Sequence, residues 1–147
     1  MDVKFYFIKP KNFFLMLVLS MAIILVGCAG TKTKSLERSE KIPAATGKVE
    51  YKTTENNNTK VKIEVFNLAP PSRVKTGATT YVVWAQPITP NTTAQNIGAL
   101  KVDDDLHGEL ETLVPYKEFD LFITASPSST ADFYNTERLL QVRIVNE

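Results

Sequence analysis

The chain has 147 residues, with 17 Lys and Arg against 16 Asp and Glu, a single Cys and a single His. So balanced a charge leaves no basic footprint for a nucleic acid. One Cys excludes an internal disulfide framework and multi-cysteine zinc sites, and one His excludes paired-His metal motifs and most histidine-based catalysis. The composition points away from an enzyme, and no metal or cofactor is expected.

The chain opens with "MDVKFYFIKPKN", in which Lys4, Lys9 and Lys11 outweigh Asp2, followed by an uncharged apolar run from Phe13 to Gly27. A positive flank, a short apolar core and then small residues is the order of a secretory signal peptide. The run falls short of the roughly 20 apolar residues that a membrane-spanning helix needs. A retained signal anchor is the alternative.

The end of that run, Leu25-Val26-Gly27-Cys28, resembles the lipobox of bacterial lipoproteins. The resemblance implies cleavage before Cys28, diacylglycerol on its sulfur and an acyl chain such as palmitate on the new amino group. Two or more chains anchor a protein stably where one gives only marginal binding. The expected location is therefore the bacterial cell envelope, membrane-anchored and facing the periplasm or the exterior. Ala29 stands where such lipoproteins carry Asp when retained in the inner membrane, which implies the outer membrane in a Gram-negative cell.

Residues 29–46, "AGTKTKSLERSEKIPAAT", are polar, mixed in charge and free of aromatic residues. Such a stretch is expected to bury too little apolar surface to offset its ordering entropy. The division that follows is a signal peptide over 1–27, a flexible tether over 28–45 and one folded domain over 46–147.

Within that domain, alternation of period two is broken repeatedly by turn chemistry. "GKVEYKTT" sets Val49 and Tyr51 against Lys48, Glu50 and Lys52, and "ENNN" supplies residues that tolerate left-handed backbone in a hairpin. "TKVKIEVFNL" puts Val61, Ile63 and Val65 on one face and Lys60, Lys62 and Glu64 on the other. After the proline-marked loop "APPSRVKTGA" comes the strand "TTYVVWAQ", then the loop "PITPNTTAQ". "NIGALKV" and "GELETLV" read as strands joined through "DDDLH". "EFDLFITAS" aligns Phe119, Leu121 and Ile123, "PSSTADFYNTE" connects, and "RLLQVRIV" aligns Leu140, Val142 and Ile144. About seven short strands without a convincing helix predict an all-β fold, an immunoglobulin-like antiparallel β-sandwich. A small barrel is the alternative.

Three stretches in this half, "YVVWA", "NIGALKVDDDLHG" and "FDLFITASPSS", resemble in order the extracytoplasmic C-terminal domain of anti-sigma-K-type factors. That family carries a Tyr-x-x-Trp strand, a Leu-Gly-type strand, an acidic turn with glycine, and a Phe- or Val-rich strand that runs into a proline-glycine segment. "ASPSS" replaces the family's Glu-Pro-x-Gly-Gly, and "FYNTER" its Pro-Thr-Gly. Only a dozen residues precede the apolar run, so the resemblance implies the sandwich fold without sigma-factor inhibition.

Candidate sites are few. Asp103, Asp104 and Asp105 lack the spacing of a calcium loop and read as a solvated turn. His107, near Asp105 and Glu109, reads as a turn histidine, since no nucleophile or oxyanion site assembles around it. Trp84 stands out because both faces of its strand are apolar, as they are around Phe122. Either Trp84 is the core tryptophan of the sandwich, the favoured reading, or Trp84 and Phe122 form an outer patch for a partner protein or glycan. The expected function is a lipid-anchored, non-catalytic binding or structural module of the envelope. The alternative is an envelope sensor related to the anti-sigma domains.

Overall fold

A computed structural model describes residues 30–134 and 137–146, which include a compact unit beginning at Thr31. Cys28 and the apolar run before it lie outside the described residues. The strands are β1 (Lys32–Ser35), β2 (Glu37–Arg38), β3 (Thr46–Thr53), β4 (Thr59–Phe66), β5 (Thr80–Pro87), β6 (Gln95–Ala99), β7 (Lys101–Val102), β8 (Gly108–Val114), β9 (Glu118–Ser126) and β10 (Leu140–Val145). One helical turn, α1 (Pro71–Val74), lies between β4 and β5, inside the stretch expected to be a loop. The fold is all-β. Two five-stranded antiparallel sheets have the orders β1-β3-β4-β8-β7 and β2-β10-β9-β5-β6.

The alternation seen in the sequence sets which side chains enter the core between the sheets. On β4, Val61, Ile63 and Val65 are fully buried while Lys60, Lys62 and Glu64 form the outer face. Each such aliphatic side chain contributes on the order of 1.5–3 kcal/mol by leaving water. From the second sheet, Tyr81, Val83 and Ala85 of β5 meet this layer, together with Phe119, Leu121 and Ile123 of β9. Register follows from that pattern, because a slip of one residue would turn every one of these side chains outward. Both expected hairpins form: Asn57 adopts φ 59° in the β3–β4 turn and Leu106 φ 60° in the β7–β8 turn.

The expected flexible tether over 28–45 is not a tether from Lys32 onward. β1 pairs with β3 from Lys32↔Tyr51 to Ser35↔Lys48, and β2 pairs with the start of β10. Leu36, Ile42 and Ala45 are buried in the core. Three small apolar contacts and two strand edges supply what local composition lacked.

"NIGALKV" also departs from its expected single strand. β6 belongs to the second sheet, β7 to the first, and the chain crosses between them at Leu100. The same crossing happens at Leu36 between β1 and β2, on the opposite edges of the sheets. A glycine on the first sheet accommodates each leucine. A Cβ on Gly47 would stand 2.6 Å from Leu36 Cδ1, and one on Gly108 would stand 3.2 Å from Leu100 Cδ1 and 2.8 Å from Leu68 Cδ1.

Candidate functional site

The outer face of the second sheet is where apolar residues accumulate without belonging to the main core. Side chains of Trp84 on β5 and Phe122 on β9 sit opposite each other across the ladder, with Gln86 opposite Asp120 and Val82 opposite Thr124. β10 extends this face with Gln141 beside Phe122 and Arg143 beside Asp120. The Trp84 and Phe122 rings stack at 6.4 Å and 14°.

Two sequence expectations are corrected here. Trp84 is not the tryptophan between the sheets: the inward residues of β5 are its neighbours Val83 and Ala85, and strand alternation turns Trp84 outward. Nor do Trp84 and Phe122 form an exposed patch, because both are fully buried. Described residues of the β9–β10 connection, Ala131, Tyr134 and Arg138, pack over them.

That cover is built from two aromatic contacts and one cation. Tyr134 lies 5.7 Å from the Trp84 ring and 4.8 Å edge-on from Phe122. The Arg138 guanidinium carbon sits 4.0 Å from the centre of the Phe122 ring, within cation–π range. Arg138 also donates to Gln86 Oε1 at 2.8 Å and to the Tyr134 hydroxyl at 3.4 Å. Trp84 Nε1 is satisfied by Thr124 Oγ1 at 3.0 Å. On the β6 side, Asn96 Nδ2 donates to the carbonyls of Ser129 and Ala131 at 2.9 and 3.0 Å, fastening the connection to the sheet.

The cover leaves a concavity on either side. One, of about 470 Å³, is lined by Glu37, Asp120, Arg138, Gln141, Val142 and Arg143. The other, of about 690 Å³, runs along β6 and is lined by Thr93, Gln95, Asn96, Ser129, Thr130 and Asp132 among others. In the first, Arg143 is held by the Asp120 carboxylate at 2.8 and 3.2 Å, and that carboxylate raises its pKa further. Arg138 has no carboxylate partner among the described residues. Its guanidinium is oriented by an amide and a ring, neither of which neutralises it. A fork of N–H donors fixed in an open groove can take a carboxylate or another planar anion.

The other sequence candidates are structural in their surroundings. Asp103 Oδ1 accepts from the backbone N–H groups of Asp105 and His107, so it shapes the turn. His107 stacks on Phe66 at 4.6 Å and has Nδ1 3.5 Å from Asp103 Oδ2, while its buried Nε2 has no hydrogen-bond partner among the described residues. Its carboxylate neighbour is Asp103 rather than Asp105 or Glu109. Among the described residues, no three His, Cys, Asp or Glu side chains gather as they would around a metal ion.

Sequence reasoning missed Arg138 and Tyr134. The available signal was the pair Phe133-Tyr134 in an otherwise polar connection, next to strands with two apolar faces: aromatics in a loop need somewhere to pack. Comparison of the chain with known protein families, curated proteins and solved structures finds no match to any of them.

Proposed function

We propose that this chain is a lipid-anchored, non-catalytic binding module of the bacterial cell envelope, acylated on Cys28, whose ligand site is the groove beside Arg138. The anchor rests on Leu25-Val26-Gly27-Cys28 at the end of the apolar run. The observation that carries the binding role is Arg138 itself: a guanidinium stacked on Phe122, held by Gln86, and open to a groove of about 470 Å³. The ligand this chemistry selects is an envelope component that presents a carboxylate or similar anion to Arg138 and hydrogen-bonds with Gln141 and Glu37.

An immunoglobulin-like identity for the sandwich is part of this reading. In chain order, β3, β4, β5, β6, β7, β8, β9 and β10 correspond to strands A, B, C, C′, D, E, F and G. One sheet then reads A-B-E-D and the other G-F-C-C′, with β1 and β2 added at the edges. Under this correspondence the Arg138 cover is the F–G connection, one of the loops such sandwiches use for recognition.

A second reading, the envelope sensor, is favoured by one observation. Two of the stretches that resemble anti-sigma-K-type domains fall on β5 and β9, and a third begins on β6, three neighbouring strands of one sheet.

The test uses full-length Cys28→Ser protein, free of the lipid, and its co-sedimentation with isolated cell-envelope fractions. Arg138→Ala is expected to weaken retention about tenfold or more, the scale of one charge-assisted contact. Arg138→Lys is expected to recover only part of it, because a point charge does not reproduce the fork. Equal retention of all three proteins would remove this groove as the site.

A further inference from the structure

The structure changes the length of the leash, and with it the geometry of the anchored protein. Only Ala29, Gly30 and Thr31 separate Cys28 from the first residue of β1. Those four steps span at most about 14 Å when fully extended. A domain held that closely has one end that meets the bilayer.

β1 identifies which end. Lys32 pairs with Tyr51, two residues before β3 finishes at Thr53, so the chain enters the sandwich at the end that carries the 54–58 turn. The other connections at this end are 88–94 and 115–117, since β5 and β8 also finish there. The 67–79, 103–107 and 127–139 connections lie at the opposite end. Eight-residue strands such as β4 set the two ends about 27 Å apart.

The near end carries apolar and basic side chains on its surface. Ile88 and Leu113 are 40% and 56% exposed there, while Phe66, Val102, Leu106, Phe133 and Tyr134 are exposed toward the opposite end, so the short leash rather than apolar surface selects the near end. Lysines share this end of the sandwich. Lys60 is tied to Glu111 at 2.5 Å, a carboxylate that also feels the charge of Lys52, while Lys32 and Lys117 form no salt bridge among the described residues. Exposed Glu55 and Glu118 lie at the same end. Lysine stems lie along apolar surface with their ammonium groups in water, and aliphatic side chains beside them suit the boundary between headgroups and acyl chains.

We infer that the end of the sandwich carrying the 54–58, 88–94 and 115–117 connections rests on the phospholipid surface, and that the Arg138 cover at the far end is thereby presented away from it. This rests on the reading of Cys28 as the lipid attachment point. The anchor then does more than confine the domain near the membrane: a leash this short orients it, raising the encounter rate only for partners approaching from the far side.

The experiment takes advantage of the single Cys. When its sulfur carries lipid, an introduced Cys is the only free thiol. Full-length acylated Glu55→Cys and Asp104→Cys proteins, each labelled with a fluorophore, are incorporated into vesicles of phosphatidylcholine and phosphatidylglycerol that contain a headgroup-attached energy acceptor. Strong transfer from position 55 and loss of most of it at position 104 is the expected result. In the Lys52→Glu/Lys117→Glu background, the contrast between the two positions is expected to shrink while vesicle attachment persists. Equal transfer from both positions, or the reverse order, with Cys28 acylated by mass spectrometry, overturns this inference and leaves the lipoprotein reading standing. An unmodified Cys28 with no vesicle attachment overturns both.

Discussion

Trp84 shows how far one residue's surroundings determine what it can do. It is the only tryptophan, it is fully buried, and what covers it is a connection rather than a second sheet. Its emission is therefore expected at short wavelength in the native protein. Tyr134→Ala removes the ring lying 5.7 Å from the indole without touching either sheet. The emission is then expected to move to longer wavelength and become accessible to acrylamide, with the far-ultraviolet circular dichroism unchanged. An unshifted spectrum would mean that the cover does not depend on Tyr134. Glu64 is the second residue whose surroundings make a measurable difference. Its carboxylate lies 2.7 Å from both Lys48 and Lys62, and hydrogen bonds from these two ammonium groups lower its pKa from 4.5 to about 2. A carboxyl with a depressed folded-state pKa stabilises the fold fully above its ordinary value, and that contribution fades as pH falls from about 4.5 to about 2. Glu64→Gln is accordingly expected to flatten the acid limb of a stability-against-pH profile over that interval, read from urea midpoints. Salt is expected to reduce the difference, because the ladder faces water.

At the scale of elements, the strands were legible and the crossings were not. Alternation exposes a strand with one wet face, which is why β3 and β4 could be read from Val49, Val61 and Ile63 between charged neighbours, and β10 from Leu140, Val142 and Ile144 alternating with Gln141 and Arg143. It identifies β5 and β9 as doubly apolar but cannot say what lies over the second face. For Trp84 that depended on Tyr134 and Arg138, some 50 residues along the chain. The first strands failed for a different reason: "KTKSLER" holds a single leucine, and composition alone counts one leucine as too little. Its value comes from its position. Leu36 sits against Gly47, accepts no competing side chain there, and its backbone N–H donates to the Gly47 carbonyl at 2.8 Å. Leu36→Ala is expected to cost about 2–4 kcal/mol, as large-to-small changes at buried leucines do. The diagnostic readout is amide exchange: protection at β1 and β2 is expected to fall while β4 and β9 keep theirs. Uniform loss across both sheets would mean that the crossing is not a separable element. The two crossings also govern the sheet edges. β2 and β7 are two residues each, too short to template another chain, and β1 carries Lys32 and Lys34 along the edge of the first sheet.

For the whole molecule, the decisive difference between the sequence expectation and the fold is where the domain starts, and the two make opposite claims about a truncated chain. A flexible tether over 28–45 can be deleted without cost. In the structure, deletion up to Thr46 removes β1 and β2, takes Leu36, Ile42 and Ala45 out of the core, and uncovers the edge of β3 and the start of β10. The buried leucine and isoleucine alone account for several kcal/mol on the scale of large-to-small substitutions. That is a substantial share of the roughly 5–15 kcal/mol by which a domain is stable. The chain beginning at Thr46 is therefore expected to unfold at clearly lower urea than the chain beginning at Thr31, and with a smaller m-value, since less surface is exposed on unfolding. The opened β3 edge adds an expected tendency to associate, measurable by sedimentation as a concentration-dependent increase in mass. Coincident unfolding curves for the two chains would return residues 32–45 to the role of a spacer. They would also lengthen the leash and release the orientation that a short one imposes.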